Sequence, residues 1–284
     1  MIFGQLLRYY YIGRVQVCAS CIIKTFRANF RAMNLGYSWR GIPPVTKNLI
    51  IINVALWLVC ALFGSFGSVM QDKLGLHLIG ATMFNPIQII TYMFMHDQHS
   101  VLHVLFNMFT LWMFGRTLEQ VWGSRRFFIF YMVCGIGAAV VQEVVWVLTW
   151  QHEYISAIAQ ANGLTYAHMK EIVDAALASG DTEFVNAVAK TKNMFVTVGA
   201  SGAVFGLLLG FAMTFPNMPL YLFFIPVPIK AKYMVIGYAV LEFFLGVGGG
   251  DTIAHFAHLG GMLFGLVILL YWEKKGTLRG DGFY

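Results

Sequence analysis

Val198-Gly199-Ala200-Ser201-Gly202-Ala203-Val204-Phe205-Gly206 is a short polar notch at the head of an apolar run that continues to Phe215. Glycines at 199 and 202 remove side-chain bulk on both sides of the Ser201 hydroxyl, so another chain can approach it closely. Gly202, Gly206 and Gly210 recur every four residues, which on a helix makes one smooth stripe for a second helix to pack against. A matching stripe follows downstream. Ala257, Gly261 and Gly265 form it within Ala254-His255-Phe256-Ala257-His258-Leu259-Gly260-Gly261. If the two stripes face each other, the backbones come closer than in ordinary core packing, and a short serine can reach His258 on the neighbouring helix. Taken alone, Gly-x-Ser-Gly reads more simply as helix-packing glue of a kind common in membranes. The histidine, and a third polar cluster described below, weigh against that simpler reading.

The surrounding composition is that of a membrane protein. Of 284 residues, 58% are hydrophobic and only 11% charged, where soluble domains carry about a quarter charged residues. Apolar segments of spanning length, roughly 17 to 25 residues, fall at about 48–66, 101–121, 127–149, 196–215, 233–249 and 253–272. The expectation is an all-α polytopic bundle of six spans, with no soluble catalytic domain. Basic residues are asymmetric: the stretch before the first span and the second-to-third, fourth-to-fifth and C-terminal segments hold fifteen of the nineteen. The positive-inside rule then places both termini in the cytoplasm. The net charge of +6 is accounted for by topology and lipid contact, and no nucleic-acid motif accompanies it. The four cysteines sit in the leader or inside spans, where no exported disulfide is expected. Cys18-Ala19-Ser20-Cys21 has CxxC spacing without a second pair.

Along the chain, residues 1–42 read as a cytoplasmic leader, with Met33 a candidate initiator that would leave 1–32 untranslated. Thr46 reads as the cap of the first span, after Pro43-Pro44. Phe84-Asn85-Pro86 through His96 is too apolar for a free loop and too broken for a span, and suits the outer interface. The turn from Gly115 to Ser124 reads as structural fastening at the cytoplasmic end. Residues 151–195 form an alanine-rich, acidic extracytoplasmic insertion read as two short helices, with Asp181 a cap and Gly180 a helix end. The membrane domain is expected over 43–272, with 273–284 a cytoplasmic tail.

In this topology the second, fourth and sixth spans run from outside to inside, and each carries polar groups in its first turns: His103 and Asn107, Ser201, and His258. Their common depth marks a composite site, since polar groups in hydrocarbon are costly unless they are paired or functional. A serine there needs a base, which His258 supplies. An acyl-transfer oxyanion needs donors, which His103, Asn107 and the Ser201 amide supply. No carboxylate is expected to orient His258, so the pair reads as a dyad with Phe205, one turn past Ser201, stacked on the imidazole. Glu143 and Glu242 read as bonds between neighbouring helices, and His255 as a packing residue.

These residues closely resemble the rhomboid family of intramembrane serine proteases, over about residues 43–272. The resemblance rests on Gly199-Ala200-Ser201-Gly202, Ala257-His258-Leu259-Gly260-Gly261 and His103-Val104-Leu105-Phe106-Asn107, with further likeness at Phe94-Met95-His96 and Gly115 to Gly123. It implies a bacterial-type, six-span protease of the inner membrane. The catalytic pair would be Ser201 and His258, with His103 and Asn107 stabilising the oxyanion and Gly199, Gly202, Phe205 and Gly261 supporting. It would need no cofactor and no metal, and its partners would be the lipid bilayer and single-span membrane substrates, with no nucleic acid. Phe205 departs from the family in lacking an aromatic hydroxyl, and the connection before the serine span is unusually long. Two rivals remain: a non-catalytic rhomboid-like binder of membrane helices, and a metal-ion transporter built on His96, His99, His103, His255 and His258.

Overall fold

The computed structural model describes residues 41–221, 227–248 and 254–276, together with the backbone of a short hairpin, β1 (Tyr9–Ile12) and β2 (Val15–Cys18). Met33 and the CxxC spacing fall at least partly outside the described residues. The protein is mostly helical. Among the described residues, five helices are long and apolar enough to cross a membrane: α1 (Pro44–Leu62), then α4 (Val101–Trp122), α5 (Ser124–Ala161), α9 (Ala231–Gly248) and α10 (His255–Lys274). Between α1 and α4 lie α2 (Gly64–Leu74), β3 (Leu76–His77) and a one-turn α3 (Gln88–Thr91), which runs into a 3-10 turn at Tyr92–Phe94. Helices α6 (Tyr166–Ala178) and α7 (Thr182–Lys192) and strand β4 (Val196–Thr197) follow α5, and α8 spans Ser201–Thr214. A small hairpin, β5 (Pro219–Leu220) with β6 (Ile229–Lys230), precedes α9.

The sixth expected span is the short α8, with 14 residues. At 1.5 Å per residue it is about 21 Å long, against about 30 Å of hydrocarbon. Hydropathy alone predicts one span over 196–215, whereas 196–197 pair as a strand with Leu76–His77 and the helix starts at the serine itself. A short helix is tolerable here because it is enclosed largely by protein: ten of its fourteen residues are buried. The long helices show the opposite pattern, with Leu62, Leu148, Phe244 and Val267 among many large apolar side chains left exposed. Apolar surface on this scale suits hydrocarbon and is foreign to a soluble monomer.

Three local readings change. Thr46 does not cap α1, whose N-cap is Pro43. It is buried instead, and its N–H and hydroxyl both donate to Glu119 Oε2 at 2.7 Å. Glu119 Oε1 accepts from Val45 N at 3.0 Å and from the Ser124 hydroxyl at 2.6 Å. The C-terminal end of α4 therefore fastens α1, as a structural role requires. Glu143 does not bond a neighbouring helix; it accepts the Ile79 N–H at 2.7 Å and pins the loop after β3 to α5. The insertion is not two helices alone, because α5 runs on to Ala161 before α6 and α7 begin. At 38 residues, about 57 Å, α5 outruns the hydrocarbon, and Ile155 and Ala159 on its projecting end pack with Met169 and Val173 of α6 in a separate apolar cluster. Asp181 does cap α7, accepting from Glu183 N and Phe184 N. Gly180, at φ +70°, ends the segment before it.

Candidate active site

Helices α8 and α10 meet along their small-residue stripes. A Cβ added to Gly261 would land on the Gly202 carbonyl oxygen, and one on Gly206 would lie 3.0 Å from the Gly261 carbonyl. The third small positions of the two stripes do not meet each other. Gly210 faces Trp122 and Phe130, while Gly265 stays within reach of Gly206. The contact is thus tightest at the serine end. There the Ser201 hydroxyl and His258 Nε2 are 2.8 Å apart. Ser201 is half-buried and at the first position of its helix. Its N–H is therefore among the helix-end donors with no intrahelical acceptor.

Phe205 lies flat on the His258 ring, with centroids 4.2 Å apart and planes 5° from parallel. Stacking fixes the plane of the imidazole without any hydroxyl. The expectation that no carboxylate meets His258 is overturned: Glu242 Oε2 lies 2.9 Å from His258 Nδ1 and 2.6 Å from His255 Nδ1. Glu242 does bond a neighbouring helix, as expected, but the bond ends on the histidine facing the serine. Sequence reasoning missed this partner because the link crosses two helices; the only signal was an acid inside an otherwise apolar span.

On the other side of Ser201, Gly199 has φ +130°, a conformation that favours glycine, and its N–H donates to the Tyr92 carbonyl at 3.0 Å. A Cβ there would sit 2.9 Å from His103 Nε2. The glycine is required twice, by its backbone angle and by the imidazole against it. His103 starts in the first turn of α4, its N–H donating to the Ser100 hydroxyl that caps the helix. The Asn107 side-chain amide donates to the His103 carbonyl at 2.9 Å, so at least one of its two N–H groups serves the helix.

Of the five histidines considered as metal ligands, His99 is exposed and His96 is fully buried edge-on to His103, 5.2 Å between centroids. Among the described residues the one group of three potential ligands within 4.8 Å is Glu242, His255 and His258. Both histidine nitrogens already stand at hydrogen-bonding distance from the Glu242 carboxylate.

The Rhomboid domain family model matches residues 83–274, more than half of the chain. The chain belongs to the rhomboid family. The match covers every residue assembled around Ser201, and with the membrane-length apolar helices it makes this rhomboid a multi-pass integral membrane protein. No curated protein matches the chain.

Proposed function

We propose that this rhomboid is an intramembrane serine endopeptidase that cuts single-span membrane proteins near the outer end of their membrane helix. The observation that carries the reading is the 2.8 Å approach of the Ser201 hydroxyl to His258 Nε2, made across two helices packed backbone to backbone. Ser201 Oγ attacks the scissile carbonyl carbon as its proton passes to His258 Nε2. The C–O bond forms and the carbonyl π pair moves onto oxygen. Collapse of the tetrahedral adduct breaks the C–N bond, and the proton on Nε2 goes to the departing amine. Water then repeats the sequence on the acyl-enzyme, returning Ser201. The positive end of α8 favours the oxyanion, and the Ser201 amide, His103 and Asn107 are the donors available to it. The substrate helix has to unwind locally, since a hydrogen-bonded helical carbonyl is not open to attack, and small residues at the cleavage site ease this.

The charge asymmetry of the loops supports cytoplasmic termini and an outward-facing site, and an inner-membrane location is what the resemblance to bacterial-type rhomboids implies. A non-catalytic helix binder would not need a serine and a histidine held within bonding distance. The test is cleavage of a single-span reporter by the purified protein in lipid vesicles. A protein that never cuts, or cuts as fast without the Ser201 hydroxyl, overturns the reading. Chelation separates it from metal chemistry: EDTA should leave the rate within about twofold, and activity lost to EDTA and restored by zinc would favour the metal reading.

The His103 and Asn107 roles make a further prediction. Donors to an oxyanion that exists only in the transition state lower turnover when truncated and leave substrate binding alone. One such donor is worth about 10²- to 10³-fold in rate. His103→Ala should approach that loss, while Asn107→Ala, whose amide also serves the α4 backbone, should lose less. Turnover measured beside melting temperature decides the matter. Activity and stability falling in proportion would make the pair structural.

A further inference from the structure

Helix α9 is the most peripheral of the spans: only Ala231, Val235 and Glu242 are buried, and they share one face at spacings of four and seven. Towards its outer end its single buried residue is therefore an acid. Among the described residues no lysine or arginine is bonded to that acid. Its Oε2 meets Nδ1 of two histidines, His255 at 2.6 Å and His258 at 2.9 Å. An ionised carboxylate only accepts, so each Nδ1 carries a hydrogen. His258 is thereby left with a bare Nε2, the acceptor that the Ser201 hydroxyl needs at 2.8 Å. Phe205 cannot make this choice, because a phenyl face against an imidazole face does not distinguish which ring nitrogen is protonated.

We infer that Glu242 is the positioning acid of the site: it selects the His258 tautomer that accepts from Ser201 and stabilises the imidazolium formed during attack, while His255 holds the carboxylate in place. This rests on the proposed serine-protease function and extends the catalytic pair to a Ser201–His258–Glu242 triad, with the acid supplied by a third helix. Glu242 takes no proton in the cycle. It keeps its charge while the proton shuttles between Oγ, His258 Nε2 and the leaving nitrogen. Among the described residues, His255 and His103 also lie near His258, and neither offers an acceptor oxygen to Nδ1.

Glu242→Gln keeps the size of the side chain and discards its charge, and its NH₂ group can turn the His258 tautomer around. Where an amide replaces the acid of a Ser-His-Asp triad, kcat falls about 10⁴-fold. With Phe205 still holding the ring plane, we expect a loss of about 10²-fold in kcat, with KM within about threefold. The experiment measures kcat, KM and melting temperature in lipid vesicles for the parent, Glu242→Gln, Glu242→Asp, His255→Gln and Ser201→Ala. The expected result is a kcat loss in Glu242→Gln without matching loss of stability, partial recovery in Glu242→Asp, and a smaller loss, about three- to tenfold, in His255→Gln. Glu242→Gln within about twofold of the parent overturns the inference. So does a Glu242→Gln loss that follows melting temperature while Glu242→Asp recovers stability but no turnover, since the acid would then only fasten α9. Ser201→Ala separates the two levels. If it still cuts, the protease reading itself fails; if it is dead while Glu242→Gln is fully active, only the role of Glu242 is lost.

Discussion

Ser201→Ala and His258→Ala should each lower cleavage of a single-span reporter by about 10⁴-fold or more, and the double variant should be little worse than either. Removing one member of a nucleophile and base that act as a unit costs nearly as much as removing both, because a hydroxyl in this setting is inert without its acceptor and the acceptor has nothing else to activate. Ser201→Ala deletes one oxygen from a half-buried position and should leave insertion and melting temperature close to the parent. His258→Ala also removes the imidazole stacked on Phe205 at 4.2 Å and the partner of Glu242, so it should lose some stability as well. The measurement is product formation against time in vesicles, with expression and thermal melting alongside. Cleavage at parental rates in either single variant would show that the 2.8 Å contact is a packing hydrogen bond.

Gly261→Val should come next in effect, and it tests geometry rather than chemistry. The added Cβ falls on the Gly202 carbonyl oxygen, a backbone atom that cannot rotate aside. Helices α8 and α10 have to separate there. Overpacking of this kind costs typically about 1 to 3 kcal/mol, an amount a membrane bundle can survive. The serine and histidine lie just beside the forced contact, however, and a displacement of about 1 Å in such a pair costs about 10²-fold in rate. Activity should therefore fall much further than stability. Gly237→Val is the matched control, since nothing lies within 4 Å of a Cβ at that position, and it should turn over as the parent does. Normal turnover in Gly261→Val would mean that the close approach of the two helices does not set the distance from serine to histidine.

Much of this arrangement is legible from the chain alone, because it is written in local periodicity. Small residues every four positions define a stripe, two stripes find each other because only they allow backbone contact, and the residues beside them, Ser201 and His258, are carried together. The Phe205 stack follows from a spacing of one helical turn, and the cap at Asp181 from its place before an apolar pattern. The broken segment before His96 shows itself by being apolar and interrupted. Other features have no local signature. Hydropathy reads 196–215 as one uniform run, yet pairing of Val196–Thr197 with Leu76–His77 and the positive φ of Gly199 end the extended segment and start the helix at Ser201. The partner of Thr46 lies 73 residues away at Glu119. Above all, Glu242 reads in sequence as an acid in an apolar helix. Which groups it faces is set by the rotation of α9 about its own axis and by how it crosses α10. The sequence by itself determined the membrane class, the helix pairing and the meeting of Ser201 with His258; only the tertiary structure decided which carboxylate His258 meets, because a side chain's spacing is local while its partner depends on how whole helices are turned against one another.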